Sequence, residues 1–155
     1  MLEILVTLFL LTMWLLASAG VQSSSLQFNK AAQFRTQAVY LATDLAERMQ
    51  ANSAGAIARA YAIDNIDVGA ALKNCVSEPC SPTDLAKFDA AEWTGRVAAA
   101  LPNASVTVST AAVANPKTYT ILISWSDRRT DGAATGTTET LSYTATKTVF
   151  DPPPS

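Results

Sequence analysis

The chain has 155 residues, 49% of them hydrophobic and 15% charged, which suffices for one domain plus an accessory segment and excludes a disordered tail. Its formal net charge is −2, and its eleven Lys and Arg are spread from Lys30 to Lys147 with one adjacent pair, Arg128-Arg129, so no run gathers the cations that a nucleic-acid footprint requires. Histidine is absent, and with it the side chain best suited to proton transfer and metal binding near neutral pH, so most enzyme readings weaken.

No charged residue occurs from Ile4 to Asn29, and Ile4 to Val21 is apolar except for Thr7, Thr12, Ser18 and Gly20. The ten Leu, Ile, Val and Phe in that run favour membrane entry by about 3 to 6 kcal/mol. At about 1.5 Å rise per residue the run spans roughly 27 Å, close to the thickness of a hydrocarbon core. Ala17-Ser18-Ala19 has the small residues of a signal-peptide cleavage site, but such a signal needs a basic start and Met1-Leu2-Glu3 is acidic. Helical periodicity also continues past the run. Ala31, Phe34, Ala38, Leu41, Leu45 and Met49 recur at helical steps on one face, while Gln33, Arg35, Gln37, Asp44, Glu47 and Arg48 take the other positions. The pattern predicts one helix from about Leu2 to Ala51, roughly 75 Å long and uninterrupted by proline. Gly20 and Ser23-Ser24-Ser25 lower its propensity, and a bend or local melting is expected there.

Beyond Asn52 the composition shifts to Ala, Gly, Asn and Asp until Lys73, with weak apolar marks at Ile57, Tyr61, Ile63, Ile66 and Val68. This reads as a variable connecting region holding a short helix near Ala54 to Ala62. In Cys75-Val76-Ser77-Glu78-Pro79-Cys80, two cysteines without any histidine cannot complete a four-ligand zinc site within one chain. Cys75 and Cys80 either form a disulfide, as an oxidising compartment would favour, or remain two free thiols. The ring would remove about 2 kcal/mol of unfolded-state entropy and fix a loop.

Ser81-Pro82-Thr83-Asp84 predicts a second helix, with Ser81 as N-cap, Pro82 at the first position and Asp84 completing a pattern like a capping box. Leu85, Phe88, Trp93, Val97 and Leu101 are its expected apolar face, and Leu101-Pro102 ends it. The period then becomes two. Val106 and Val108 alternate with Thr and Ser; Tyr119, Ile121, Ile123 and Trp125 form a second run; Leu141, Tyr143, Ala145 and Lys147 form a third. These predict antiparallel strands, with a hairpin loop from Asp127 to Gly136 and an Asp151-Pro152-Pro153-Pro154 tail that cannot extend a sheet. The helix stripe from Phe34 to Met49 is the expected cover for the sheet's apolar face.

Met1-Leu2-Glu3-Ile4-Leu5-Val6 resembles the start of type IV pilins and pseudopilins, whose mature chains open with an apolar stretch broken by one glutamate. Further along come Leu45-Ala46-Glu47-Arg48-Met49-Gln50-Ala51-Asn52, the cysteine pair leading into Leu85-Ala86-Lys87-Phe88-Asp89 and Trp93, and Leu101-Pro102. Thr118-Tyr119-Thr120-Ile121 through Trp125-Ser126-Asp127-Arg128 completes the series. In that order they look like a PilV-type minor pilin of the type IV pilus, over nearly the whole chain. The arginine-methionine-x-alanine-asparagine ending of the spine is the most specific element. The resemblance implies an α+β, type IV pilin-like fold: a long N-terminal α-helical spine, membrane-embedded in its first half, packed on a small C-terminal antiparallel β-sheet. The expected organisation is a spine over residues 1–52, with 4–21 transmembrane and 26–51 amphipathic. A connecting region with the cysteine loop follows over 53–82, then a helix with antiparallel sheet over 83–150 and a tail over 151–155.

The family carries a short basic leader ending in glycine, which prepilin peptidase removes before the new N-terminus is methylated, and its glutamate is fifth in the mature chain. Here Glu3 is third, as though the sequence starts two residues inside the mature protein. Lys30 and Arg35 alone would place the domain in the cytoplasm by the positive-inside rule, but the family leader supplies the opposing cations and the cysteine pair suits the periplasm. The resemblance makes Glu3 an assembly residue that attracts the positive N-terminus of a neighbouring subunit. Opposite charges about 4 Å apart attract by roughly 4 kcal/mol at an effective dielectric of 20, before desolvation. An ordinary interfacial carboxylate facing headgroup water is the plainer reading.

Trp93, Trp125, Tyr119 and Phe88 read as core or partner-packing residues, Arg128-Arg129 as a solvated loop pair, and Asn103-Ala104-Ser105 as a short, frequent sequon. No catalytic, cofactor or metal site is expected. Four functions follow. The leading one is a minor pilin that joins other minor pilins and the major pilin through its spine in the inner membrane, uses the pilus assembly machinery, and primes or caps the pilus. The others are a minor pseudopilin of type II secretion, a secreted binding module released after Ala19, and a periplasmic enzyme on a signal anchor.

Overall fold

The computed structural model describes residues 2–64, 73–111, 116–128 and 138–150. Its elements in chain order are α1 (Leu2–Ala51), α2 (Ser53–Ile57), α3 (Pro82–Ala100), β1 (Ser105–Thr110), β2 (Lys117–Arg128) and β3 (Thr138–Val149). The helices precede one antiparallel sheet of order β1-β2-β3, an α+β arrangement.

The helix α1 is continuous over 50 residues, through Gly20 and the serine run, so the local melting expected there does not occur. A single Gly costs only about 1 kcal/mol relative to Ala, less than breaking several successive backbone bonds. In the apolar half, Thr7 Oγ1 donates to the Ile4 carbonyl at 2.9 Å and Thr12 Oγ1 to the Phe9 carbonyl at 2.8 Å, so both hydroxyls are satisfied within the helix itself. In the distal half, Ala38, Leu41, Ala42, Leu45 and Met49 are buried while Phe34 is half-buried, placing one stripe against the rest of the domain.

The short helix expected over Ala54 to Ala62 is shorter and earlier. Asn52 caps α2 by accepting from Gly55 N–H, and Arg59 at φ 63° stops it. The Arg59 N–H bonds to the Ala56 carbonyl at 2.9 Å and the Ala60 N–H to the Gly55 carbonyl at 3.0 Å, the paired bonds of a Schellman ending. The connecting region is less peripheral than its composition suggested. Tyr61 is fully buried, and Ile63 exchanges backbone bonds of 2.9 and 2.7 Å with Val108, extending the sheet beyond β1 by one bridge. Ile66 and Val68 lie outside the described residues.

The α3 start follows its signals: Pro82 occupies the first turn, Ser81 Oγ accepts from Asp84 N–H at 3.2 Å, and the Ser81 hydroxyl donates to Asp84 Oδ2 at 2.7 Å. Its buried face matches the expected one at Trp93, Val97 and Leu101 and differs from it toward the start of the helix. Ala86, Ala90, Trp93, Thr94 and Val97 are buried, whereas Leu85 and Phe88 lie at the half-exposed flank. Small residues at 86 and 90 let α3 come close to α1, and Trp93 Nε1 donates across to the Leu41 carbonyl at 2.8 Å.

The sheet has no bulge. β1 pairs with β2 from Ser105↔Ser124 to Thr110↔Tyr119, and β2 with β3 from Lys117↔Val149 to Arg128↔Thr138. Val106, Val108, Tyr119, Ile121, Ile123 and Trp125 form its buried face, and Leu141, Tyr143 and Ala145 continue that face half-buried opposite Trp125, Ile123 and Ile121. Strand pairing carries Asp127 and Arg128 into β2, opposite Glu139 and Thr138, where a loop was expected. The rest of that loop, with Arg129, and the proline tail lie outside the described residues. Arg35 and Trp125 line one groove, while the Tyr119 hydroxyl donates to the Ala56 carbonyl at 2.6 Å. β2 therefore runs antiparallel to α1, with its Arg128 end toward the apolar half of the helix.

Candidate functional site

Residues Leu2–Gln22 form one apolar stretch, none of it buried, with Glu3 its single charge. At about 1.5 Å per residue it is roughly 31 Å long, matching a hydrocarbon core of about 30 Å. Leu8, Phe9, Trp14 and Leu16 are each more than half exposed on different sides of the helix, so the stretch needs lipid or other helices all round. In contrast, the distal half of the same helix is packed along one stripe only. Glu3 is exposed in the first turn of α1, where unpaired backbone N–H groups favour a negative charge.

Cys75 and Cys80 form a disulfide with S–S 2.01 Å and Cα–Cα 5.5 Å. The ring is an ordered turn: Asn74 Oδ1 accepts from Val76 N–H at 3.0 Å, and Lys73 Nζ donates to the Pro79 carbonyl at 2.6 Å. It stands just ahead of the Ser81 cap, and Val76 at its tip is 83% exposed. Because the Pro82 carbonyl contacts Asn52, the ring sits near the C-terminal end of α1, about 70 Å from Glu3 along the helix. The fold keeps the sequence-predicted site residues apart, at opposite ends of the molecule.

At the ring's end of the spine, α1, α2 and α3 are joined by a polar cluster that sequence reasoning missed. Arg48 Nε lies 3.3 Å from Asp44 Oδ2, and Arg48 Nη1 lies 3.2 Å from Asp89 Oδ1 and 3.0 Å from Glu92 Oε2. Arg96 closes the cluster against Glu92 and Asp44. Burial opposes the Arg48 charge, but the bonds to Glu92 and Asp44 outweigh it and raise its pKa. The hydrogen bond from Arg48 lowers the Glu92 pKa.

Asn52 is the second hub. It caps α2 through Gly55 N–H at 3.2 Å, and its Nδ2 donates to the Pro82 carbonyl at 2.7 Å and to Tyr61 Oη at 3.3 Å. The Tyr61 hydroxyl donates to Asp89 Oδ2 at 2.8 Å, and burial, then that bond, push its pKa up. A signal for this cluster was present: Asp44, Arg48 and Asn52 recur every four residues beside the apolar stripe, and Arg48 and Asn52 are the named residues of the spine's most specific ending. The arrangement aligns the two helices and the turn between them, so it fixes how the domain is held on the spine.

Residues 20–91 match the family model described as type IV pilin Tt1218, a stretch running from Gly20 in α1 to the first half of α3. The match takes in the distal half of the spine, the Arg48 and Asn52 cluster and the disulfide ring. It supports a place in the type IV pilin superfamily, and with the long apolar helix and small antiparallel sheet it supports a pilin subunit with an α+β pilin-like fold. That family is structural and not enzymatic. No curated protein matches the chain, and no solved structure matches it.

Proposed function

We propose that the chain is a minor subunit of a type IV pilus, of the PilV type. It stands in the inner membrane by residues 2–22 with its domain in the periplasm, joins other minor pilins and the major pilin through that helix, and primes or caps the filament. The observation that carries this reading is the division within α1: residues 2–22 are exposed and apolar on every side, while residues 38–49 are clasped by the domain. Such a helix can leave lipid only by exchanging it for other apolar helices, which is what filament assembly offers. The disulfide ring suits an oxidising periplasm.

Glu3 is the assembly residue in this reading. A carboxylate at the edge of an apolar span is costly unless partnered, and the methylated amino terminus of a neighbouring subunit, produced by prepilin peptidase, is the partner that fixes axial register. Glu3→Ala is expected to leave membrane insertion intact and to block recovery of the subunit in sheared pili. Normal incorporation would refute the role. Deletion of the gene should lower the number of surface pili, adhesion and twitching motility, and unchanged piliation would count against the pilus altogether.

A further inference from the structure

At the end of the domain nearest the apolar half-helix, α1 and β3 leave a groove of about 320 Å³ lined by Arg35, Val39, Trp125, Leu141, Ser142 and Tyr143. Two of these residues carry unspent polar capacity. Trp125 is 1% exposed, yet its buried Nε1–H has no acceptor, in contrast to Trp93, whose Nε1–H is bonded to the Leu41 carbonyl. A buried donor left unmade is costly and uncommon in a settled core. Arg35 is exposed and forms no ion pair among the described residues, whereas Arg48 and Arg96 each hold carboxylates. The remaining wall is mostly apolar. The groove thus presents the Arg35 guanidinium beside an aliphatic and aromatic surface, and Trp125, whose indole donor is covered and unbonded, forms part of its wall.

We propose that this groove binds a short acidic peptide segment from another protein chain, with a carboxylate on Arg35 and a neighbouring aliphatic side chain between Val39, Leu141 and Tyr143. An oxygen of the segment supplies the acceptor that Trp125 lacks. The Nε1 atom is covered in the unbound chain, so the contact comes with a side-chain rearrangement of the kind common at interfaces. Charge complementarity selects the acid. The edge of the sheet selects a peptide over a free acid: β3 is the last strand in the order β1-β2-β3, its outer edge has no strand partner among the described residues, and its 12 residues contain neither proline nor bulge. An extended segment pairing there delivers alternate side chains to the groove. This binding does not depend on the filament reading.

The test uses the full chain in detergent micelles, with the indole N–H resonances of its tryptophans as the readout and Trp125→Phe to assign the relevant one. The probes are acetyl-Leu-Asp-Leu-amide and acetyl-Leu-Asn-Leu-amide at millimolar concentration. The acidic peptide should shift the Trp125 resonance and leave that of Trp93 in place. The neutral peptide should bind about tenfold more weakly, and Arg35→Gln should reduce the acidic peptide to that level without unfolding the chain. An unmoved Trp125 resonance, equal affinity for the two peptides, or a charge preference that survives in Arg35→Gln would each overturn the proposal.

Discussion

Trp93 Nε1 donates to the main-chain carbonyl of Leu41 at 2.8 Å, joining α3 to the middle of α1 across 52 residues of chain. That carbonyl already belongs to the α1 ladder, so the indole is a second donor to it, and the ring itself is fully buried in the core. The contact sets both the depth and the height at which α3 rests on the spine. Trp93→Phe keeps most of the ring's burial and loses the bond, and is expected to cost about 1 kcal/mol in denaturant unfolding of the full chain. Trp93→Ala removes the ring too and should cost about 3 to 5 kcal/mol. Equal costs for the two variants would show that the bond, not the packing, dominates.

The Arg48 cluster predicts an acid sensitivity. The Glu92 pKa is held below its ordinary value by the bond from Arg48, so Glu92 contributes stability above the usual carboxylate range and loses it as pH falls through the lower, folded value. Glu92 is substantially exposed, and high salt should weaken this contribution. Arg48→Ala leaves Asp44, Asp89 and Glu92 without their shared cation and is expected to cost about 2 kcal/mol near neutral pH. In that variant Arg96 still holds Glu92 and Asp44, so the loss of stability on acidification should shrink. The measurement is the unfolding midpoint against pH: the wild-type and variant curves should converge on acidification.

The spine and the sheet were legible because each has one strong period. Ala38 to Met49 follows the helical repeat, and Tyr119 to Trp125 alternates except at Leu122, so burial falls where the pattern puts it. The face of α3 was not legible in the same way. Leu85 and Phe88 are the more apolar residues, yet Ala86 and Ala90 are buried because close approach to α1 needs small side chains, a requirement set by the partner helix. Tyr61 and Ile63 sit in a segment without periodicity. Their burial depends on Asp89, Asn52 and Val108, which are distant in sequence. Of the site residues, the ring and the exposed apolar half could be placed from sequence. The Arg48 and Asn52 cluster showed only as a four-residue repeat beside the stripe, where charged residues usually face water, so its signal was there but its burial was not legible.

The disulfide should act locally. Its ring holds the turn that leads directly into the Ser81 cap of α3, and the sulfurs cross-link residues only 5 apart in sequence. Replacing both Cys75 and Cys80 by Ser is expected to lower stability by about 2 kcal/mol, with circular dichroism of the folded chain unchanged. Ser81→Ala tests the adjoining cap and should cost about 1 kcal/mol. Because the ring and the cap order the same turn, the triple variant should lose less than the two effects added together.

Gly55 offers a matched pair with Gly95. A Cβ at position 55 would stand 2.5 Å from the Pro82 carbonyl oxygen and 2.5 Å from Asn52 Nδ2, whereas one at position 95 would meet nothing within 4 Å. Both residues are helical, so the propensity gain from alanine is similar and favours each substitution by up to about 1 kcal/mol. Gly95→Ala should therefore stabilise the chain. Gly55→Ala must push Asn52 away from Pro82, disturbing the bond that holds the α3 start against the end of α1, and is expected to be destabilising by about 1 to 3 kcal/mol. Thermal unfolding of the two variants beside the wild type gives opposite shifts if Asn52 is the hub of the junction. Stabilisation by both would mean that the carbonyl of Pro82 can move away freely.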